Sequence, residues 1–260
     1  MSTAREDPLY IVIDVGNSGA KIGAVRGENV AGPRRLGEIS GRAVRAQAEP
    51  LLQGGAQAVF VVYGSDPGKV KDLAWEVGKL RLGDAVVLDG KHRGLPPARV
   101  AQPERAGLDR RVQVLGAARL AGGPVAVVSC GTALTVDMGD ETGSLLGGAI
   151  LPGLTLGMRA LAAATASLPV VDLAGEVEVP GRDTATAIRS GILVGAAGAV
   201  ERLLGAFADS DGVTLFLTGQ DAGLLGPRLE RTHRRHPGLG LYGAAVAARE
   251  AGELGRATKR

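Results

Sequence analysis

Aromatic side chains are scarce in this chain, 3% of 260 residues, and it holds a single cysteine. With so few rings, the core must be built from Val, Leu, Ile and Ala. The densest basic run, Arg228, Arg231, Arg234 and Arg235 with His233 and His236 among them, lacks the interleaved aromatics on which bases stack. It reads as a solvated helix end rather than a nucleic-acid site. Cys130, having no second thiol in the chain, excludes an intramolecular disulfide. No apolar run approaches the ~20 residues that cross a bilayer. The segment from Met1 to Pro8 is polar and lacks the core of a signal peptide. An excess of one charge is missing as well, since the net charge is only +3. These absences lead to the expectation of a cytoplasmic protein with no nucleic-acid or membrane partner.

Hydrophobic residues reach 45%, charged residues 22%, and there are 41 glycines. That is a globular composition with many tight turns. Leu9 to Ile13 reads as a strand ending in Asp14 and a glycine turn, and Lys21 to Val25 as its hairpin partner. Ala58 to Val62 and Ala85 to Leu88 are further strands, with a helix over Lys69 to Leu80 between them. Three prolines predict an irregular loop from Leu95 to Ala106, followed by a helix over Asp109 to Leu120. Gly122-Gly123-Pro124 reads as a joint. Beyond it strands are expected at Val125 to Val128, Ala133 to Met138, Ser144 to Ile150 and Val213 to Leu217. Helices are expected near Leu154 to Ala164, Ala185 to Phe207 and Leu241 to Glu250. Val12 to Asn17 aligns loosely with Val127 to Thr132, so the second half reads as a repeat of the first. The class is α/β with mixed sheets. The halves are residues 8–121 and 122–251, with the closing helix free to pack back on the first.

Five segments carry chemistry. In Asp14-Val15-Gly16-Asn17-Ser18-Gly19-Ala20-Lys21, an acidic strand end precedes a glycine turn. Such a turn can hold Mg²⁺ beside a phosphate chain, with N–H groups, the Ser18 hydroxyl and the Lys21 ammonium on the phosphate oxygens. It is not a Walker A loop, and a plain hairpin turn fits the same residues. Gly131 and Thr132 can meet a terminal phosphate, while Thr135 and Asp137 share one face of the following strand. In Gly107-Leu108-Asp109-Arg110 a carboxylate starts a helix, either as a cap or as a general base with a cation alongside. Gly147 to Gly153 makes a strand-to-helix turn. Thr218-Gly219-Gln220-Asp221 follows a strand and opens a helix, where a nucleoside could lie.

In this order, from about Ile11 to Ala244, the segments resemble the type III pantothenate kinase family, most specifically in GTALTVD, GGAILPGL and Thr165 to Pro169. The resemblance implies the actin-like (ribonuclease H-like) fold, two related domains with the active site in the cleft between them. It implies an enzyme that phosphorylates pantothenate with ATP, the first step of coenzyme A synthesis. Mg²⁺, a monovalent cation (K⁺ or NH₄⁺) and a homodimer that completes the substrate site are implied too. Carried over by residue, Asp14 to Lys21 is the phosphate loop, with Asp14 at Mg²⁺, and Thr132 is an ATP contact. Gly107 to Arg110 is the pantothenate turn, Asp109 its proton acceptor, and Thr184 a pantothenate contact.

Several positions depart from the family pattern. Ser129 stands where a carboxylate usually binds the monovalent cation, and Val100 where a substrate-contacting Tyr is usual. Tyr63-Gly64-Ser65-Asp66-Pro67 replaces a turn of small residues and Val, and Gln220 replaces a glycine. Two other readings keep the fold: a kinase for another small hydroxylated acid, and a nucleotide-binding regulator without catalysis.

Overall fold

The computed structural model describes residues 7–16, 19–52, 58–207 and 212–253. The first half runs β1 (Leu9–Gly16), β2 (Gly19–Arg26), β3 (Asn29–Arg35), α1 (Gly41–Ala48), β4 (Ala58–Gly64), α2 (Pro67–Lys79), β5 (Gly83–Val87) and α3 (Leu108–Ala121). The second runs β6 (Val125–Cys130), β7 (Ala133–Gly139), β8 (Leu145–Pro152), α4 (Leu154–Ala164), α5 (Thr184–Ala206), β9 (Thr214–Thr218), the short α6 (Ala222–Leu225), β10 (Arg234–Arg235) and α7 (Leu239–Glu250).

Each half forms a five-stranded sheet, ordered β3-β2-β1-β4-β5 and, in matching sense, β8-β7-β6-β9-β10. The leading three strands of each are antiparallel, and the other two run parallel to the first. The repeat seen in sequence is therefore a repeat of topology, and the fold is the expected two-unit actin-like one.

Local chemistry explains most boundaries. Asp66 caps α2, its Oδ1 accepting from the amides of Gly68 (3.0 Å) and Lys69 (3.2 Å), with Pro67 at the first helical position. Asp183 and Thr186 form a reciprocal capping box at the start of α5. Gly122, left-handed at φ +69°, ends α3 at the joint. The loop from Leu95 to Ala106 is irregular apart from a short 3-10 turn at Pro103–Arg105. β3, α1 and β10 go beyond the sequence reading, and the basic run read as a solvated helix end instead gives a two-residue strand, Arg234–Arg235, parallel to β9.

Strand alternation sorts the core. Leu9, Ile11, Ile13 and Val15 face α1 and α2 with Phe60 and Val62. Tyr10, Val12, Val59, Val61 and Tyr63 face the other way, onto Val112 and Leu115 of α3 and the small side chains of α7. In the second sheet Ala126, Val128 and Cys130 pack on α5, while Val125, Val127 and Phe216 pack on α3. The helices α3 and α7 thus form one shared layer between the sheets, α7 against the first sheet although it comes last in the chain. They touch closely: a side chain at Gly116 would lie 3.0 Å from the backbone of Gly243.

Candidate active site

Both sheets open on the same crevice, at the carboxyl ends of their parallel strands, where ligands settle in α/β folds. The crevice holds about 870 Å³. Its walls follow from the alternation. On the inner face of β1, Tyr10 and Val12 are buried, and the next residue on that face is Asp14. On β6, Val125 and Val127 are buried, and the next is Ser129.

Lateral register extends each end residue into a row. Asp14 pairs with Lys21 on β2 and with Tyr63 on β4, and Lys21 pairs with Arg35 on β3. Ser129 pairs with Thr135 on β7 and with Thr218 on β9. All seven line the crevice, together with Gly16, Gly19, Ala20, Gly131 and Thr132. Gly107, Leu108 and Asp109 line it from the start of α3, and Gly238 and Gly240 from the start of α7. The N-terminus of a helix presents free N–H groups and partial positive charge, and two such ends converge on one space.

The electrostatics single out Asp14. Burial pushes its carboxyl up to about 6; Lys21 opposes the rise and Asp109 adds to it. Asp14 and Asp109, brought together from β1 and α3, therefore act on each other across the crevice. Asp109 also accepts a hydrogen bond from the Arg110 amide (2.9 Å), and the N-cap of α3 is Gly107. A carboxylate that seeks a cation, beside a lysine and two helix ends, can hold Mg²⁺ with a polyphosphate. Mg²⁺ needs only one or two protein carboxylates when phosphates and water complete its shell. Among the described residues no cluster of three metal-binding side chains occurs.

The second wall is neutral. Asp137, on the inner face of β7, is fully buried and paired with Arg110, whose Nε donates to Oδ1 (2.8 Å), while Thr135 donates to Oδ2 (2.8 Å). Burial raises its pKa, against the pull of Arg110. Gly153, the N-cap of α4, packs where a side chain would strike the carbonyls of Gly131 and Thr132. Gly219, at φ +96°, sits equally close to the Cys130 carbonyl and leaves Gln220 on the crevice wall. There Arg35 reaches across from the first sheet, its Nη2 donating to Gln220 Oε1 (3.4 Å). Burial pushes the Cys130 thiol up to about 12, so it is no nucleophile at neutral pH.

Not every residue singled out in sequence reaches this space. Val15 is core. Asn17 and Ser18 lie outside the described residues. Arg110 is turned to Asp137, and Val100 packs on the cluster around Val114 and Val125. Thr184 is exposed at the first position of α5 and does not line the crevice. In the other direction, Arg35 and Gln113 line it without having been singled out, as does Tyr63, noted in sequence only as part of a departing turn. Gln113 follows Asp109 by one helical turn, a spacing that could have been read. The strand parity of Val59, Val61 and Tyr63 could likewise have been read.

A family model for type III pantothenate kinases matches residues 10–206. The chain is 32% identical over 250 residues to a type III pantothenate kinase of Thermobifida fusca (strain YX), covering 90% of this chain and 96% of that protein. It is 34% identical over 259 residues to one from Alkalilimnicola ehrlichii, covering 94% and 100%. Among solved structures, a conserved putative Baf family transcriptional activator from Campylobacter jejuni superposes with a TM-score of 0.59 at 16% identity. The match covers 94% of this chain and 100% of the other, and shares the fold.

Proposed function

The chain belongs to the type III pantothenate kinase family, and from that premise we propose how its crevice transfers phosphate from ATP to pantothenate, the reaction that opens coenzyme A synthesis. The observation that carries the proposal is the pair Asp14 and Asp109, facing one space within reach of each other's charge.

ATP lies with its phosphates over the β1–β2 turn, against Lys21 and the N-termini of α3 and α7, and with its γ-phosphate near Thr132. Asp14 would hold Mg²⁺, which supplies charge neutralisation to the phosphates when bound. Asp109 takes the proton of the pantothenate primary hydroxyl. That oxygen bonds to the γ-phosphorus as the bridge to the β-phosphate breaks, and ADP keeps the bridging oxygen. Because this chemistry is chiefly positioning and charge stabilisation, the alignment of the two walls matters as much as the base. Asp109→Ala is expected to lower kcat by ~10²–10⁴-fold, with ATP affinity by calorimetry little changed. Normal turnover would remove Asp109 from this role.

The finer points are proposals as well. The boundary between the units falls at Gly122, with α7 structurally part of the first. A monovalent cation would meet Ser129, Thr135 and Thr218, all neutral oxygens, so K⁺ or NH₄⁺ would be bound weakly. We also propose a homodimer. Thr184 and the exposed apolar residues Ile150, Leu156, Val170 and Val194 all lie on β8, α4, α5 and the segment between the two helices. A second copy seated there would cover them and bring its own α5 terminus toward the crevice. Light scattering at the mass of a single chain would overturn that assembly. No helix among the described residues is long and apolar enough to cross a membrane, which supports the cytoplasm as the place of work.

A further inference from the structure

Tyr63 is the largest side chain on the crevice wall that the mechanism above leaves without a task. Its ring is 1% exposed and belongs to the core between the first sheet and α7. It nevertheless lines the crevice, and its hydroxyl sits beside Gly240, which lines it too. Register puts it beside Asp14, on the same face of the sheet. The hydroxyl lies over the first turn of α7, where a side chain at Gly240 would come within 2.9 Å of Oη. The Gln113 side chain borders the same point, at 3.7 Å, and its Oε1 is buried without a hydrogen-bond partner. A phenol and an amide thus meet at one point of the crevice wall, and the carboxylates of Asp14 and Asp109 line the same crevice.

We propose that Tyr63 is a catalytic residue of the phosphoryl transfer, its hydroxyl donating a hydrogen bond to a non-bridging oxygen of the group in transit. This rests on the reading of the crevice given above. In that reading the acceptor oxygen comes from the Asp109 side and the metal-bound phosphate from the Asp14 side, so the phosphorus passes between them. A phenol, with an ordinary pKa of about 10, is protonated at neutral pH and serves as a donor, not a base. A donor fixed by a buried ring costs little reorganisation when charge gathers on the phosphoryl oxygens. It strengthens most where that charge is greatest, in the transition state.

Tyr63→Phe keeps the ring and its packing and removes only the hydroxyl. The expected result is a fall in kcat of ~10–100-fold with KM for ATP and pantothenate within about twofold, since the lost contact belongs to the transition state. Calorimetry provides a readout that needs no turnover. Binding of ADP with aluminium fluoride and pantothenate, a mimic of the phosphoryl in flight, should weaken by a similar factor. Binding of ATP alone should hold. A variant whose kcat and mimic affinity equal those of the parent overturns the role of Tyr63 and leaves the kinase reading intact. A parent chain with no turnover on pantothenate overturns both.

Discussion

In the first sheet the crevice row reads Arg35, Lys21, Asp14, Tyr63; in the second the equivalent row reads Thr135, Ser129, Thr218, with Ile150 in register beyond Thr135 but outside the crevice. The backbone plan is the same and the strands match one for one, yet one row is charged and the other is not. The second sheet does carry an inner-face carboxylate, Asp137, two residues further in from Thr135 along β7, but it is buried and neutralised by Arg110. In the first sheet Asp14 stands between Lys21 and Tyr63, and burial holds its pKa near 6. A duplicated frame can therefore divide the labour. One half keeps an unsatisfied charge for a ligand, and the other settles its charge internally and offers shape and hydroxyls.

Breaking the charged row should have the largest effect. Asp14→Asn is expected to cut kcat by ~10³-fold or more, by analogy with the loss of a transition-state charge contact. It should at the same time stabilise the ligand-free fold. A carboxyl whose folded pKa lies above its unfolded value of 3.8 binds more protons when folded, so its contribution to stability falls as pH rises. The gain from Asn should be absent below about pH 4, grow through the interval to about 6, and reach at most roughly 3 kcal/mol above it. Thermal melts of parent and variant at pH 4 and pH 7.5 measure this, and equal shifts at both would refute it. In the parent, kcat/KM, which reports the free enzyme, should decline as acid protonates Asp14 near pH 6.

Breaking the settled charge comes next. Arg110→Ala leaves Asp137 buried without its cation, which typically costs 3–5 kcal/mol. Urea unfolding should show that loss at neutral pH, with partial recovery in the double variant Arg110→Ala, Asp137→Asn. The smallest effect sharpens the contrast instead of breaking it. Ser129→Asp gives the neutral row a carboxylate opposite Asp14. The concentration of K⁺ for half-maximal activity is expected to fall by ~10-fold, about what 1.4 kcal/mol of added attraction provides. A cation response identical to that of the parent would dismiss Ser129 as the determinant.

Much of this contrast was legible before any coordinates. β1, β2, β4, β6 and β7 announce themselves as apolar, β-branched runs, and the polar residue that closes each inner face follows by parity. β3 does not. Its residues are largely exposed and include Pro33, Arg34 and Arg35, so it is a strand because β2 offers an edge and not because of its own pattern. α1 buries only Gly41, Val44 and Ala48, too little periodicity to read. Arg35 was invisible for that reason. Tyr63 was visible only as an odd residue in a turn, because lateral register between β1 and β4 cannot be read from either strand alone. The neighbouring arginines of α3 show the same limit. Arg110 reaches the second sheet, while Arg111 is buried and donates to the carbonyls of Gly90 (2.6 Å) and Pro96 (2.9 Å), tying down the loop before the helix. One position apart, the two residues look alike in sequence.

The placement of α7 has a consequence for how the molecule is made. A ribosome that has released the first 238 residues has delivered every strand among the described residues, yet Tyr10, Val12, Val25 and Val61 have only the part of their cover that α3 supplies, because α7 emerges after them. The earliest strands must wait, with a half-covered greasy flank, for α7. A nascent chain stalled just before that helix should be the form on which chaperones linger.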